Sequence, residues 1–504
     1  MSDAPALRPY QLDVIARVEA EIAAGKRRIL LVAPTGAGKN VMAAAMIDDA
    51  VQHRRRVLFL AHRRELIKQT SAKLFAVGVG HGILQAGFPP RPCEPVQVAS
   101  IATLHARAVR TRTIDLPNAD LVIVDEAHHI RARTYARVVE EYPDAVILGM
   151  TATPCRSDGR GLGNAFDVLV ECASVAELIK QKHLVPTRVY APSIPDLKGV
   201  RIERGDFVES QLAARMDLPK LIGDIVEHWH KYAERRRTVV FAVNVAHSVH
   251  LRDEFRRSGV LAEHVDGTTP IEERDGILRR VAAGEIELIT NCAVLTEGWD
   301  QPEVSCLILA RPTKSCGMYL QMTGRVLRPA PGKDHALILD HSGAVFQHGF
   351  AEDEITWTLS EDRKAKNREH DRRGGQRGMP RLTTCPECTG VRFEGKSCSI
   401  CGWMPRPKAA DFETADGNLA AVRRNRSVED ISPASMVRFH GMLTYIARER
   451  GYQSGWVAHK FREKFGTWPA SRFSTPIPPD DAMRAWVRSR AIAYAKAMQK
   501  AGAA

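Results

Sequence analysis

The sequence predicts an α/β protein of two tandem doubly wound lobes, followed by a small four-cysteine module and a basic helical C-terminal domain. Two observations predict the lobes: short, continuously apolar runs recur through the first 345 residues, and helical patterns lie between several of them. Such runs are typical of central parallel strands covered on both faces, and their alternation with helices is typical of doubly wound folds. The predicted strands cover 28–33, 56–61, 121–124, 146–149, 238–243, 286–291, 304–310 and 335–340, and the first two helices cover 41–52 and 62–76.

The 504 residues are enough for about three domains. A proline-containing stretch with weak periodicity interrupts the strand series near 185–220, and a charged, glycine-containing stretch follows the second series. We therefore predict a first lobe over 1–185, an inter-lobe connection over 186–218, a second lobe over 219–360, a basic linker over 361–381, a zinc knuckle over 382–404, a second linker over 405–430 and a basic helical domain over 431–504.

Composition excludes several protein classes. Hydrophobic residues make up 44% of the chain and charged residues 26%, which excludes a mainly disordered chain, a collagen and a disulfide scaffold. No run approaches the ~18 uncharged apolar residues of a membrane span, so we expect no membrane partner. The N-terminus has no signal-peptide pattern and most of the ten cysteines are scattered, so we expect a cytoplasmic protein.

The net charge of +13 is unevenly distributed. Residues 1–360 carry 45 Lys and Arg against 44 Asp and Glu, whereas residues 361–504 carry 27 against 15. This asymmetry indicates a polyanionic partner for the C-terminal part, with a solvated basic surface as the alternative.

The sequence APTGAGKN at 33–40 follows an apolar run and precedes a helical pattern, which is the context of a Walker A phosphate-binding loop. Glycines allow a tight turn whose N–H groups point at phosphate oxygens, and the lysine would reach the β- and γ-phosphates. An ordinary glycine-rich strand–helix turn is the alternative. The predicted phosphate-binding residues are Pro34, Thr35, Gly36, Ala37, Gly38, Lys39 and Asn40.

Asn40 departs from this pattern, because the residue after the lysine is expected to be a Ser or Thr that binds Mg²⁺ through its hydroxyl. An amide oxygen can also ligate Mg²⁺, but its reach differs, and Mg²⁺ demands near-ideal octahedral geometry. Our hypothesis is that Asn40 still supports nucleotide binding while hydrolysis is slower.

An acidic motif follows the apolar strand in LVIVDEAHH at 121–129. Asp125 would hold Mg²⁺ through water, and Glu126 would orient and deprotonate the attacking water. An Asp-Glu pair after a strand is a weak signal alone. Here it lies 86 residues after Lys39 and one predicted strand before TATP at 151–154.

With these motifs in order, the chain resembles a superfamily 2 helicase of the DEAH type from residue 7 to about 345. The resemblance implies two RecA-like lobes with ATP and Mg²⁺ between them. LRPYQ at 7–11 resembles the adenine-reading motif, with Gln11 on the adenine edge and Arg8 supporting it. LTEGWDQP at 295–302 resembles motif V, with Gly298 and Asp300 near the nucleotide.

The same resemblance assigns the other motifs. LAHRREL at 60–66 and ASIATL at 99–104 resemble the motifs that touch the nucleic-acid backbone, although the first could equally be an exposed helix start that makes ion pairs. TAT at 151–153 resembles the motif that couples hydrolysis to motion, and VFAVNVAHS at 240–248 resembles motif IV.

YLQMTGRVLRP at 319–329 resembles motif VI of the second lobe. A guanidinium from that lobe stabilises the charge that spreads over the γ-phosphate oxygens in the transition state. We predict this role for Arg325 and Arg328 on one helix face, with Gln321 one turn earlier on the same side. A surface arginine pair that makes ion pairs is the alternative.

Four cysteines form two Cys-x-x-Cys pairs separated by nine residues, namely Cys385, Cys388, Cys398 and Cys401. This spacing predicts a closed, structural Zn²⁺ site, with redox-active or unrelated pairs as the alternative. The nearby Phe393 and Trp403 would form the core of this module or stack on nucleic-acid bases.

A helicase core followed by four cysteines resembles the RadD-type bacterial helicases of DNA repair and recombination, and the segment at 451–469 resembles tails on phage-borne helicases. The resemblance implies an ATP-dependent helicase or translocase acting on single-stranded or branched DNA near a bacterial nucleoid. Two alternatives remain: a hydrolysis-impaired, ATP-gated nucleic-acid-binding factor, and an RNA helicase. The aromatic residues of the tail would form a small helical core or a base-stacking face; they are Trp456, Phe461, Phe465 and Trp468.

Overall fold

The structure is a computed structural model that describes residues 6–155, 161–192, 194–203, 205–360, 381–405, 433–470 and 475–501. The chain divides into two compact units, 1–407 and 408–504. The predicted linkers over 361–381 and 405–430 lie almost entirely outside the described residues.

The first lobe is built on a seven-stranded, fully parallel sheet of order β3-β4-β2-β5-β6-β1-β7. Its strands are β1 (Arg28–Val32), β2 (Val57–Ala61), β3 (His81–Leu84), β4 (Val96–Ser100), β5 (Leu121–Asp125), β6 (Val146–Thr151) and β7 (Val168–Glu171). Its α-helices are α1 (Pro9–Ala23), α2 (Lys39–Gln52), α3 (Arg64–Ala76), α4 (Ile101–Leu104), α5 (Arg133–Glu140) and α6 (Val175–Lys180), with a π-helix at His105–Arg110 and a 3₁₀ turn at Ala127–His129.

The second lobe holds a six-stranded parallel sheet of order β12-β13-β11-β14-β15-β8. Its strands are β8 (Thr187–Tyr190), β11 (Thr238–Phe241), β12 (Ala262–Val265), β13 (Leu288–Asn291), β14 (Cys306–Leu309) and β15 (Ala336–Asp340). A short antiparallel pair, β9 (Ile202–Glu203) and β10 (Asp206–Phe207), lies beside it. The helices are α7 (Glu209–Met216), α8 (Pro219–Tyr232), α9 (Val245–Arg257), α10 (Ile271–Ala283), α11 (Cys316–Gly324) and α12 (Ala344–His348).

Burial explains why the apolar runs form these sheets. In β1, Ile29 and Leu31 belong to one core cluster, whereas Leu30 and Val32 belong to a second cluster on the other face of the sheet. A strand that is apolar at every position can therefore bury all of its side chains only between two helical layers. The prediction of an α/β fold with two parallel-sheet lobes is confirmed.

Two predicted boundaries differ from the structure. The stretch predicted as an inter-lobe connection over 186–218 begins with β8, which pairs with β15 and so belongs to the second sheet. The end of the predicted second lobe returns to the first lobe: Trp357 and Leu359 pack on its core, and the Gly163 N–H donates to the Leu359 carbonyl (2.7 Å). Neither the pairing of β8 with β15 nor the packing of Trp357 and Leu359 on the first lobe leaves a local sequence pattern, because each partner lies more than a hundred residues away.

The four-cysteine segment forms a small antiparallel hairpin, β16 (Leu382–Thr384) and β17 (Val391–Phe393). It packs on the second lobe. The Tyr232 hydroxyl lies 3.0 Å from the Thr389 hydroxyl, and the Phe393 ring meets Phe350 edge to face. Phe393 therefore contributes to packing, whereas the half-buried Trp403 lies beneath the Arg392 guanidinium, 4.5 Å from it.

The second unit contains three helices, α13 (Pro433–Arg450), α14 (Ser454–Phe465) and α15 (Asp481–Ala501). They form a core of their own that includes Phe461, which is fully buried, while Trp456 and Phe465 pack against its edge. Trp468 is half-exposed beneath the Arg462 guanidinium. The four aromatic residues thus divide between a core and a surface. Within the described part of the chain, no helix is both long and apolar enough to cross a bilayer.

Packing at Gly149 in β6 gives a test of the first core. A Cβ atom there would lie 2.3 Å from the Phe166 ring, whereas one at the helical Gly223 would meet nothing within 4 Å. We expect Gly149→Ala to lower the free energy of unfolding by about 1–3 kcal/mol through overpacking, and Gly223→Ala to raise it by about 0.5–1 kcal/mol. Urea unfolding measures both, and a neutral Gly149→Ala would contradict this packing.

Candidate active site

The phosphate-binding loop joins β1 to α2. Gly36 and Gly38 have φ angles of 91° and 84°, a left-handed conformation that residues with a Cβ atom rarely adopt. Helix α2 begins at Lys39, whose Nζ donates to the Ala33 carbonyl (3.3 Å). The loop and the helix start together form an anion site of backbone N–H groups.

The adenine-reading residues lie against this loop. The Gln11 side-chain amide and the Tyr10 hydroxyl both donate to the Ala37 carbonyl, at 3.0 and 2.9 Å. The Gln11 side-chain carbonyl accepts from the Arg8 backbone N–H (2.9 Å). The structure thus places Gln11 on the phosphate loop with Arg8 beside it, and it adds Tyr10, which the sequence did not single out. The adenine-reading role of Gln11 and the supporting role of Arg8 stay predictions.

The acidic pair lies at the carboxyl end of β5, two strands from β1 in the sheet order. Asp125 accepts from the Glu126 N–H (2.9 Å), and Glu126 has a strained φ of 48°. Asp125 Oδ2 and Glu126 Oε2 are buried and have no hydrogen-bond partner among the described residues. Among the described residues, Asp125 Oδ2 is open to a hydrated Mg²⁺, and Glu126 Oε2, which has the His128 ring 3.4 Å away, can still accept from a water, so the residues present fit this metal.

The pKa values of the two adjacent acids, Asp125 and Glu126, are shifted in opposite directions. Burial and the negative charge of Glu126 raise the pKa of Asp125. Burial also raises the pKa of Glu126, but the charges of Lys39 and His128 outweigh it and lower that pKa. The charges of Lys39 and His128 thus favour the ionised form of Glu126, which is the form that accepts a proton from water.

His128 connects the acidic motif to the next strand. Its Nδ1 lies 3.4 Å from Glu126 Oε2 and 3.1 Å from the hydroxyl of Thr151, at the end of β6. Burial lowers the pKa of His128, but its contacts with Glu126 and Glu297 raise it to about 9. His128 is therefore a cation at neutral pH.

Asn40 is the second residue of α2, next to Lys39, as the motif requires. Within the part of the chain that the structure describes, its side chain makes no hydrogen bond, so its amide oxygen is free to bind a ligand. Asn40 and Asp125 thus remain the residues predicted to hold Mg²⁺.

Motif VI differs from the prediction in its local structure. Helix α11 ends at Gly324, so Arg325 and Arg328 do not share a helix face with Gln321. The Arg325 guanidinium is buried and donates to the carbonyls of Thr296 (2.7 and 3.0 Å) and Trp299 (2.5 Å). Gln321 is buried in α11. The prediction of a shared face was wrong because the sequence did not show where the helix stops.

Arg328 lies across the cleft from the phosphate loop. Its Cγ would be 3.4 Å from a Cβ atom at Gly36, and a Cβ atom at Gly324 would lie 2.4 Å from Thr35. The second lobe therefore meets the phosphate loop directly, and motif VI and the Walker A loop line one crevice.

The two residues predicted from motif V, Gly298 and Asp300, lie in different places. Asp300 forms an ion pair with Arg328 and so lies at the crevice. Gly298 instead faces helix α3: its carbonyl accepts from the Gln69 side chain (2.6 Å), and a Cβ atom there would lie 3.3 Å from Leu66. The residue between Thr296 and Gly298, Glu297, reaches the first lobe and was missed by sequence reasoning.

The four predicted cysteines converge. Sγ atoms lie 3.6 Å apart for Cys385 and Cys401 and 3.7 Å apart for Cys388 and Cys398, and all four lie within 4.8 Å of one another. Tetrahedral Zn²⁺ with Zn–S bonds of ~2.3 Å separates its sulfur ligands by ~3.8 Å. The donor set and its spacing are compatible with Zn²⁺.

Family comparisons agree with this geometry. Residues 4–156 match the family "Type III restriction enzyme, res subunit", and residues 217–330 match "Helicase conserved C-terminal domain". The chain is 32% identical over 375 residues to a 51.5 kDa protein of a Lactococcus phage, covering 74% of this chain and 77% of the phage protein. The chain belongs to the superfamily 2 helicases.

This helicase is also 32% identical over 361 residues to a Saccharomyces cerevisiae protein named "Putative ATP-dependent helicase IRC3", covering 68% of this chain. The match spans 52% of the yeast protein, about half of its length. A fragment of an HsdR subunit of a type I restriction enzyme from Vibrio vulnificus superposes with a TM-score of 0.55 at 24% identity, covering 70% of this helicase and 69% of that chain. That likeness supports the fold.

The two arginines of this helicase should differ in their effect on stability. We expect Arg325→Met to lower the free energy of unfolding by about 2–4 kcal/mol, because it leaves two buried carbonyls without donors. Arg328→Met should cost about 1 kcal/mol or less, since its partner Asp300 is half-exposed. Urea unfolding without nucleotide measures both, and equal losses would contradict the assigned contacts.

Proposed function

We propose that this helicase hydrolyses ATP between its two lobes to move along or remodel DNA. The observation that carries the proposal is that motif VI meets the Walker A loop directly, while the acidic pair lies close enough to Lys39 for its charge to act on both carboxylates. Family membership supports an ATP-dependent helicase or translocase, and the crevice supplies both halves of its ATP site.

Each side chain would have one task in hydrolysis. Lys39 and the loop N–H groups bind the β- and γ-phosphates, and Asn40 and Asp125 hold Mg²⁺, which neutralises phosphate charge. Glu126 accepts a proton from the water that attacks the γ-phosphorus as the bond to ADP breaks. Arg328, and Arg325 if it leaves its carbonyl partners, would stabilise the charge on the transferring phosphoryl group.

DNA is the proposed substrate. Among proteins similar to this chain, one from Sulfurisphaera tokodaii is named "DNA 3'-5' translocase XPB2", at 23% identity over 361 residues. The C-terminal helical unit offers further support, because residues 431–504 carry 12 Lys and Arg against 4 Asp and Glu. A role in DNA repair or recombination, and a place near the bacterial nucleoid, stay predictions of the RadD-type resemblance.

Zn²⁺ is the proposed occupant of the four-cysteine cluster. The four cysteines belong to the hairpin whose residues Val391 and Phe393 pack on the second lobe. A segment this small has no sufficient core of its own, so bound metal would supply its folding energy. The metal would thus be structural and distant from the chemistry.

A comparison of ATP turnover with single-stranded DNA, with RNA and without nucleic acid tests the proposed function. We expect DNA to raise kcat at least about tenfold, and Lys39→Ala to remove about 100-fold or more of that rate. Lys26→Ala, an exposed lysine of the same lobe, is the matched control and should match wild type. Stimulation by RNA alone, or tight binding without turnover, would contradict DNA-driven hydrolysis.

The substitution Asn40→Thr tests whether the asparagine that replaces the usual Ser or Thr after Lys39 slows hydrolysis. We expect kcat to rise about twofold to tenfold, because a hydroxyl fits the octahedral Mg²⁺ shell better than an amide at this position. An unchanged kcat at saturating Mg²⁺ would show that Asn40 serves adequately.

Metal analysis by mass spectrometry tests the zinc proposal. We expect one Zn²⁺ per chain, its loss in Cys398→Ser, and a lower melting temperature in that variant. Cys93→Ser, at an exposed cysteine outside the cluster, should keep the metal and the melting temperature. Full zinc content in Cys398→Ser would refute the assignment.

A further inference from the structure

A carboxylate of the second lobe lies buried among one arginine and three histidines of the first. Glu297 follows β13, and its side chain is 8% exposed. His62 Nε2 lies 2.8 Å from Glu297 Oε2, and Arg63 Nε lies 3.3 Å from the same oxygen. On the other side, His128 Nε2 and His129 Nε2 lie 3.5 and 3.6 Å from Glu297 Oε1.

These four partners come from two places in the first lobe. His62 and Arg63 directly follow β2, and His128 and His129 follow the acidic pair of β5. Both sites lie at the carboxyl edge of the same parallel sheet. Glu297 comes from the second lobe and contacts both sets at once, so these contacts form only when the two lobes meet.

His128 has a second contact that links Glu297 to the chemistry. Its Nδ1 faces Glu126 at 3.4 Å, while its Nε2 faces Glu297 at 3.5 Å. The imidazole thus lies between the carboxylate that would activate water and a carboxylate of the opposite lobe. When the lobes separate, His128 loses one of these two partners.

Because the Glu297 carboxylate is buried, its stability depends on its contacts with the first lobe. A carboxylate removed from water loses several kcal/mol of hydration, which only well-placed cationic partners recover. Glu297 is thus stable in its buried position because Arg63 and three histidines surround it there, and it exchanges these partners for water when the lobes separate. Two other ion pairs also join the lobes, Lys68–Asp275 and Arg274–Glu65, but neither contacts the acidic motif.

We propose that Glu297 is a positioning residue that holds His128 against Glu126 only in the closed arrangement, so that lobe closure is a condition for water activation. This inference rests on the proposed ATP hydrolysis at the same site. Among the described residues, no hydrogen bond or ion pair joins Glu297 to the phosphate loop or to Arg8 and Gln11. It should therefore affect the hydrolytic step and leave ATP binding unchanged.

The test is DNA-saturated ATP turnover of Glu297→Gln, with Asp275→Asn as the matched control. Glu297→Gln keeps the side-chain size but removes the charge, and should lower kcat at least about tenfold while KM for ATP stays within about twofold. Asp275→Asn breaks a half-exposed inter-lobe ion pair and should keep kcat within about twofold. Equal losses of kcat in both variants would show that Glu297 contributes only to general contact between the lobes, and would overturn the proposal.

A double-mutant cycle then asks whether Glu297 acts through His128. His128→Gln should lower kcat by itself, and adding Glu297→Gln to it should lower kcat by less than about twofold more. Fully multiplicative losses would show that Glu297 acts independently of His128 and would refute the mechanism.

A folding control keeps these outcomes interpretable. If Glu297→Gln melts well below wild type, Glu297→Asp replaces it, since this variant retains the charge and should recover part of kcat. Wild-type protein without turnover on any nucleic acid would refute the proposed function itself. Turnover by wild type together with an unaffected Glu297→Gln would refute the positioning role alone.

Discussion

The negative charge gathered at the carboxyl edge of the first sheet is the constraint on which the rest of the structure depends. Asp125 and Glu126 are adjacent, buried and only partly hydrogen-bonded, and a triphosphate would add further charge beside them. Lys39 of the first lobe and Arg328 of the second both approach this edge. We propose that a bound triphosphate is stabilised there by cations from both lobes.

The contacts between the lobes follow from this constraint. Arg328 faces the phosphate loop, while Glu297 faces the histidines around the acidic pair. The second lobe thus presents a cation to the phosphate loop and an anion to the histidines beside Glu126. This complementary placement allows closure to be favourable and chemically specific at once. The return of Trp357 and Leu359 to the first core ties the lobes together a second time behind the cleft.

Much of the fold was predictable because central parallel strands bury both faces and therefore read as continuous apolar runs, as β1 and β2 do. The Walker A loop, the acidic pair and the four cysteines were predictable because their chemistry requires particular residues at fixed spacing. Other features were not. The pairing of β8 with β15 and the packing of Trp357 on the first lobe depend on partners far along the chain. The role of Arg325 depends on a helix that ends at Gly324. Glu297 is one charged residue in a loop, and its importance is visible only once both lobes are placed.

We propose that one triphosphate is held from both lobes. A crystal structure with ADP, Mg²⁺ and aluminium fluoride, which mimics the transferring phosphoryl group, tests this proposal most directly. We expect Lys39 and the Arg328 guanidinium both to lie within about 3.2 Å of the fluoride group, with Arg328 released from Asp300. A fluoride group contacted by the first lobe alone, with Arg325 still on Thr296 and Arg328 still on Asp300, would contradict it.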